Sequence, residues 1–215
     1  MSTSGRAYES PLRREQALAT ERRILDAAYR LLVDQGYGAT TMSAVAREAG
    51  VSTPTVYKVV GSKPELVKRV YDVTLVGDAE PVPFAERPEV RAAYEEADPR
   101  RFLAAYAGLG RLLLDRLGPL LATLVAGARS GEPELVEFVA TINGERLAGT
   151  TMVARRLEEM GALRPGLDVE RARDLIWTLN SIEVWELLVR QRGWSPDEWE
   201  AWQARALVEA VLAGE

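Results

Sequence analysis

Apolar residues recur at helical spacing along most of the chain. Steps of three and four residues place side chains on one face of an α-helix. One such series is Ile24, Ala27, Ala28, Leu31 and Leu32, and a second is Met42, Val45, Ala46 and Ala49. Long alternation of β-branched and polar residues, which would indicate strands, is not seen. The pattern therefore predicts an all-α fold.

Short polar residues and glycines divide the first third of the chain into separate helices. Gly36 and Gly50 follow the two apolar series and end them, because glycine readily takes the left-handed conformation at a helix terminus. Thr41 is placed to cap the second helix and Ser52 to cap a third. The residues before the first series form either an N-terminal arm or an extension of the first helix.

The third helix has two unlike faces, judged by a rotation of about 100° per residue. Val56 and Val59 lie on its inner side, and Gly61 ends it. The opposite side carries Thr53, Pro54, Tyr57 and Lys58. Pro54 is tolerated because it falls in the first turn.

A fourth helix begins at the capping box Ser62-Lys63-Pro64-Glu65. The stretch from Gly77 to Pro88 follows it and contains three prolines, which is typical of a linker. The sequence therefore predicts two domains, residues 1–76 and 77–215.

The pattern of apolar residues also predicts helices in the second domain. One predicted helix runs from an Asp168 cap to Gly193, and the last begins at the capping box Ser195-Pro196-Asp197-Glu198. Asn180, Ser181 and Glu183 interrupt the apolar pattern of the first of these. They line a cavity, lie at an interface or face solvent, and the pattern does not decide among the three.

Charge is distributed unevenly along the 215 residues. The net charge is −5, yet residues 1–71 carry 11 Lys+Arg against 7 Asp+Glu, and the remainder carries 16 against 25. A basic front end on an acidic body indicates a nucleic-acid-binding module joined to a domain of another kind. The chain has no cysteine and no histidine, so the commonest catalytic bases and metal ligands are missing. We expect no catalytic site, metal or cofactor.

The opening residues lack an apolar core segment of the kind found in signal peptides. The longest weakly polar run, 118–128, is shorter than the roughly 20 residues that span a bilayer. We therefore expect a cytoplasmic protein with no membrane partner.

Two short helices joined by a tight glycine-containing turn are typical of a helix-turn-helix. A major groove admits one helix, which must offer short polar side chains to base edges and donors or cations to phosphates. The sequence predicts contact with a double-stranded DNA operator through side chains on or near the third helix and at the starts of its neighbours. These candidates are Thr41, Ser52, Thr53, Pro54, Thr55, Tyr57, Lys58 and Lys63.

Three segments carry a resemblance to a known family: residues 41–52, then Thr55-Val56-Tyr57, then residues 62–66. Together they resemble the signature of TetR (tetracycline repressor)/AcrR-type regulators over about residues 20–70. That family usually has an aromatic residue three positions after the tyrosine, where this chain has Val60. The resemblance implies a helical C-terminal domain that binds a small ligand and dimerises through its last two long helices.

The second domain mixes apolar and aromatic residues with sparse polar ones, which is typical of small-molecule sites. We expect a cavity for an unknown, largely hydrophobic effector that releases the repressor from a palindromic operator. Its candidate lining residues are Phe102, Tyr106, Leu109, Asn143, Met152, Trp177, Asn180 and Glu183.

Homodimerisation is expected from the last two helices. Their long apolar stripes and four tryptophans, Trp177, Trp185, Trp199 and Trp202, exceed what one subunit should cover. Two alternatives remain: an architectural DNA-binding or interaction module without a ligand, and an all-α enzyme using carboxylate pairs. A sealed core in the second domain would favour the module.

Overall fold

The computed structural model of the protein describes residues 11–77 and 86–214. Within these residues the backbone is helical and contains no β-strand, only an isolated antiparallel bridge between Leu163 and Leu212. This confirms the all-α fold. The helices are α1 (Pro11–Ala39), α2 (Met42–Ala49), α3 (Thr53–Val60), α4 (Lys63–Val76), α5 (Pro88–Glu95), α6 (Pro99–Arg129), α7 (Pro133–Glu159), α8 (Val169–Leu179), α9 (Ile182–Trp185) and α10 (Pro196–Val211).

The chain divides into two compact units, Met1–Val70 and Tyr71–Glu215. The division falls inside α4, six residues before the predicted domain boundary. The predicted linker lies mostly in residues 78–85, outside the described part of the chain. The assignment of 1–76 and 77–215 to different functions remains a prediction.

The first unit is built on the apolar face of α1. Ile24, Ala27, Ala28 and Leu32 are fully buried, as their spacing predicted. Gly36, with φ 81°, interrupts the helical conformation of α1 where the sequence placed its end, and one further turn follows. Residues 11–19 are an extension of this helix, and the first ten residues lie outside the described part of the chain.

The second unit has its core where α6, α7, α8 and α10 meet. Helix α10 packs on α6 and α8, and α7 packs on the same two helices. The fully buried side chains at this meeting point form a dry cluster, which we define by Phe102, Leu103, Ala107, Val153, Ala154, Leu157, Ala172, Ile176, Leu207 and Val211.

The single helix predicted between Asp168 and Gly193 is wrong, because the segment is broken at Asn180 and Ser181. Helix α8 ends at Leu179, and the Ser181 hydroxyl caps α9 by accepting a hydrogen bond from the Val184 amide at 3.3 Å. Helix α9 continues as a π-helical segment over Glu186–Gln191. Asn and Ser side chains compete for backbone hydrogen bonds, which explains the break.

Two of the four tryptophans attributed to an interface are covered by their own chain. Trp185 is 3% exposed and Trp199 is 0% exposed, and their rings pack edge to face at 4.8 Å. These two tryptophans therefore need no partner subunit to bury them, and the expected homodimer stays a prediction. Trp177 and Trp202 are half-buried.

Candidate DNA-binding surface and ligand cavity

The turn between α2 and α3 has the geometry that its residues predicted. Thr41 Oγ1 accepts the Ala44 amide at 3.1 Å and so caps α2. Gly50 takes the left-handed conformation, with φ 65° and ψ 38°, and its amide bonds back to the last turn of α2. Ser52 Oγ accepts the Thr55 amide at 3.3 Å and starts α3. The turn is therefore short and capped on both sides.

Helix α3 presents a polar face to solvent. Tyr57 is 53% exposed, and Pro54 and Lys58 are also exposed. Thr53 and Thr55 are half-buried, and the Thr55 hydroxyl lies 2.7 Å from that of Ser52. The outer face thus offers hydroxyl groups, a phenol and an ammonium, the groups that base edges and phosphates require.

The inner face of α3 differs from the sequence pattern in one position. Val56 is fully buried as predicted, but its buried neighbour is Val60, at 3% exposure, while Val59 is half-buried. The backbone oxygen of Val59 accepts a 2.6 Å hydrogen bond from Arg69, which also pairs with Glu21. Val60 therefore fills the position at which the resembled family has an aromatic residue.

Lys63, in the first turn of α4, is held inside the first unit. Its Nζ atom donates a 2.6 Å hydrogen bond to the carbonyl oxygen of Tyr37 and lies 3.7 Å from the centre of the Tyr37 ring. The Ser62 amide and hydroxyl both donate to Glu65, forming the predicted capping box. The hydrogen bond from the Ser62 amide lowers the pKa of Glu65.

Arg14, Arg22 and Arg23 of α1 are exposed. Contacts of the eight candidate side chains with DNA remain predictions. What the structure supplies is their placement: seven lie in the turn or on α3, or cap α2, and Lys63 lies at the start of α4.

The second unit contains a cavity of about 220 Å³. It lies among α4, α6, α7 and the junction between α8 and α9. Most of its wall is aliphatic, from Leu75, Leu113, Leu114, Leu117, Leu121, Val125, Val139, Ile142 and Ile182. The wall is completed by Tyr71, Gly110, Asn143, Glu145, Arg146 and Asn180.

A network of polar side chains borders the cavity at Asn180. Its amide nitrogen donates to the Tyr106 hydroxyl at 2.9 Å, and its amide oxygen accepts from Gln203 Nε2 at 3.1 Å. Gly110 lies against this network, since a Cβ atom there would come within 2.8 Å of Asn180 Oδ1. Burial raises the pKa of Tyr106 to about 12.

Arg146 lies at the same end of the cavity. It donates to Asn143 Oδ1 at 3.1 Å and to the carbonyl oxygens of Trp177 and Asn180 at 3.0 and 2.9 Å. Burial lowers the pKa of Arg146, and burial together with the charge of Glu145 raises the pKa of Tyr71 to about 12.

Of the eight candidate ligand residues, the structure brings Asn143 and Asn180 to the cavity wall. Phe102 belongs to the dry cluster, Tyr106 packs against that cluster, and Leu109 packs with Val90 and Ala93. Met152 is 58% exposed on α7, so its expected place in an apolar interior is wrong.

Trp177 and Glu183 also lie off the cavity wall. The Trp177 ring is stacked by Arg146, and Glu183 is exposed and pairs with Arg129 at 2.9 Å. Apolar character in the sequence does not distinguish the residues of the core from those of the cavity wall, because both groups are apolar.

Sequence reasoning missed the other thirteen residues of the wall, among them Tyr71, Leu75 and Arg146. One signal could have found Arg146: it lies three and four residues after Asn143 and Ile142, and so on the same face of α7. Tyr71 and Leu75 were assigned to the predicted DNA-binding domain. Within the described residues we find no carboxylate cluster suited to a metal ion, and each described helix is too short or too polar to span a membrane.

Comparison with known proteins agrees with the geometry of the first unit. The profile of "Bacterial regulatory proteins, tetR family" matches residues 24–70. The uncharacterized HTH-type transcriptional regulator YdeS of Bacillus subtilis (strain 168) is 28% identical over 160 residues, which cover 74% of each chain.

Solved structures share the fold of the whole chain. The regulator FadR from Bacillus subtilis, in complex with stearoyl-CoA, superposes with a TM-score of 0.68 at 21% identity, covering 90% of this chain and 99% of that one. NalD, the secondary repressor of the MexAB-OprM multidrug efflux pump in Pseudomonas aeruginosa, superposes with a TM-score of 0.66 at 18% identity, covering 91% and 98%.

A capped helix-turn-helix followed by a larger helical unit defines a DNA-binding transcriptional regulator of the helix-turn-helix class. Residues 24–70 carry the helix-turn-helix that is characteristic of the TetR family of these regulators.

Proposed function

We propose that this regulator is a homodimeric repressor, which binds a palindromic operator through α3 and is released by a small, largely apolar effector. The observation that carries the DNA-binding part is the exposed polar face of α3, with Tyr57, Pro54 and Lys58 directed to solvent beside a capped turn. NalD is described as a repressor, which is consistent with this direction of control.

The effector part is supported by the cavity of the second unit. A ligand-free architectural module would be expected to have a sealed core, whereas about 220 Å³ is open here. Its wall is mainly aliphatic with a few polar groups, as in sites for small molecules. The FadR relative was solved with stearoyl-CoA, an apolar chain bearing a polar head.

Helix α4 offers a route from effector to DNA-binding residues. Tyr71 and Leu75 line the cavity, and the same uninterrupted helix begins at Lys63. An effector would shift the population between two dimer shapes, only one of which spaces the two α3 helices for successive major grooves, about 34 Å apart.

A dimer is needed because one helix-turn-helix reads only a half-site. The proposed interface is formed by the last helices, where Trp202 is half-buried and Leu187, in the π-helical segment, is exposed. Pairing with a two-fold copy would cover these side chains.

Selection from random-sequence DNA tests the proposal directly. The selected duplexes should contain two inverted half-sites whose centres are about 10 base pairs, or a multiple of that, apart. A reporter promoter carrying the selected duplex should be silenced when the protein is expressed. Selected sites without inverted symmetry, or increased transcription, would contradict the dimeric repressor.

A further inference from the structure

Arg146 is a half-buried cation whose hydrogen-bond partners are neutral. All three of its hydrogen bonds end on uncharged oxygens, those of the Asn143 amide and of the Trp177 and Asn180 carbonyls. Its other close contact is the Trp177 ring, whose centre lies 5.1 Å from the guanidinium carbon. Among the residues that the structure describes, no carboxylate lies within 4.0 Å of it.

Such a cation is poorly compensated. Removing a charge from water is costly unless an opposite charge or sufficient hydrogen bonds replace the water. A guanidinium carries five N–H donors, and three hydrogen bonds leave two of them for another acceptor. The two that remain, one on Nη1 and one on Nε, diverge, so a carboxylate would accept from one of them in a charge-assisted hydrogen bond, which is stronger than a hydrogen bond to a neutral acceptor.

The remainder of the cavity is suited to a hydrocarbon chain. Nine of its lining residues are leucine, valine or isoleucine, and these side chains offer no hydrogen-bonding group. We infer that the cavity binds a small aliphatic carboxylate, with its carboxylate on Arg146 and its alkyl chain among these aliphatic side chains. This inference rests on the proposed effector function and names the chemical class of the effector.

Glu183 acts on Arg146 through its charge, but its side chain is exposed and pairs with Arg129. Glu145 is the group that argues for the opposite charge, since it also lines the cavity. Its side chain is exposed, so water and salt screen its charge, whereas Arg146 is half-buried and its interactions are screened less. A cationic ligand would also have to approach Arg146. The wall therefore favours an anion, and an alkylammonium serves as the competing probe.

The volume limits the length of the chain. At about 30 Å³ for each water-sized group, 220 Å³ holds roughly seven such groups. Octanoate is therefore the probe, with its seven carbons beyond the carboxylate in the aliphatic part. 1-Octanol has the same total of eight carbons with a neutral head, and octyltrimethylammonium joins an eight-carbon chain to a cationic head.

Calorimetric titration of the purified full chain with the three probes tests the inference. Octanoate should bind at least about tenfold more tightly than 1-octanol, because charge-assisted hydrogen bonds are roughly twice as strong as neutral ones. In Arg146→Gln this preference should disappear. In Arg155→Gln, which removes an exposed arginine of the same helix, the preference should be unchanged.

Equal affinity for octanoate and 1-octanol, preference for the cation, or binding of none of the three would overturn the inference. Arg146 also holds the carbonyl oxygens at the end of α8, so Arg146→Gln is first checked by circular dichroism. If that variant does not fold, the three-probe comparison on the unaltered protein decides.

Gel shifts with the selected duplex separate this inference from the proposed function. If octanoate and 1-octanol bind equally and both release DNA, the effector function stands and the role of Arg146 fails. If octanoate binds preferentially and DNA affinity is unchanged, Arg146 is assigned correctly and the effector function fails.

Discussion

The ammonium group of Lys63 lies 3.7 Å from the centre of the Tyr37 ring and donates a 2.6 Å hydrogen bond to the carbonyl oxygen of the same residue. The contact ties the start of α4 to the end of α1. A lysine in this position has two roles open to it: it stabilises the first unit, and its charge lies close to where DNA phosphates are expected. The first role is measured by the stability of the protein and the second by its affinity for DNA.

Replacing Lys63 with alanine should reduce both stability and DNA binding. Loss of the ring contact and the hydrogen bond should lower the free energy of unfolding by about 1 kcal/mol. Loss of one phosphate contact should reduce the slope of log affinity against log salt by about 0.9. Urea unfolding and gel shifts at several salt concentrations measure the two effects. Lys68→Ala, an exposed lysine of the same helix, is the control. An unchanged slope would assign Lys63 to stability alone.

Replacing Tyr57 with alanine should act on DNA binding alone. Because the side chain is 53% exposed, the melting temperature should stay within error of the unaltered protein. Loss of one phosphate hydrogen bond should weaken binding to all duplexes by about tenfold, or about 1.4 kcal/mol. Thr53 and Lys58 substitutions should instead change which sequences are preferred. Full DNA affinity in Tyr57→Ala would remove this residue from the contact surface.

Gly110 and Gly144 provide a matched pair of glycine substitutions. Gly110→Ala should destabilise the protein by about 1–3 kcal/mol, because the added Cβ atom would displace Asn180 from Tyr106 and Gln203. Gly144→Ala adds its Cβ atom to open space in a helix and should stabilise by up to about 1 kcal/mol. Equal unfolding free energies for the two variants would show that the network contributes nothing to stability.

Alkaline pH should destabilise the folded chain. The pKa of Tyr71 and that of Tyr106 are raised to about 12, from an ordinary value of about 10. The unfolded chain therefore loses these phenol protons first. The stabilisation is fully present below about pH 10 and falls by about 1.4 kcal/mol per pH unit for each phenol up to about pH 12. Urea unfolding at pH 9.5 and 10.5 measures the loss, which should be smaller in Tyr106→Phe. An identical loss in that variant would contradict the assignment to Tyr106.

Two substitutions that introduce a charge should distinguish the proposed dimer interface from an interface on α7. Leu187→Glu, in the π-helical segment, should convert a dimer to a monomer in sedimentation at micromolar concentration, because an interface would bury the new carboxylate. Met152→Glu alters an equally exposed side chain on α7 and should leave the dimer intact. The reverse pattern would move the interface to α7.

The sequence predicted the structure correctly where that structure depends on residues close together in the chain. Thr41, Gly50 and Ser52 act as caps and terminators through bonds to residues within four positions, so their spacing alone predicts the turn. The polar face of α3 follows from the same local geometry. The turn and the polar face of α3 were therefore predictable almost residue by residue, while their contacts with DNA stay predictions.

The cavity was not predictable in this way, because its wall joins residues far apart in sequence. Phe102 and Leu113 are both apolar residues of α6, yet one is fully buried in the dry cluster and the other lines the cavity. Whether an apolar residue of α6 joins the cluster or lines the cavity depends on how α6 packs against α7 and α10. The periodicity of the sequence carries no information about that packing. The break at Asn180 was missed for a related reason: the apolar residues on both sides continue a helical period.

The dry cluster and the cavity use different stretches of α6, with Phe102 to Ala107 in the cluster and Gly110 to Val125 in the cavity wall. Substitutions that reshape the wall can therefore leave the close-packed cluster untouched, and they enlarge or fill a space that already exists. Such changes should lower the free energy of unfolding less than equivalent changes in the cluster. During evolution, proteins with this fold could exchange one effector for another through a few aliphatic substitutions on α6. The molecule would continue to fold while its cavity adapted to a new compound.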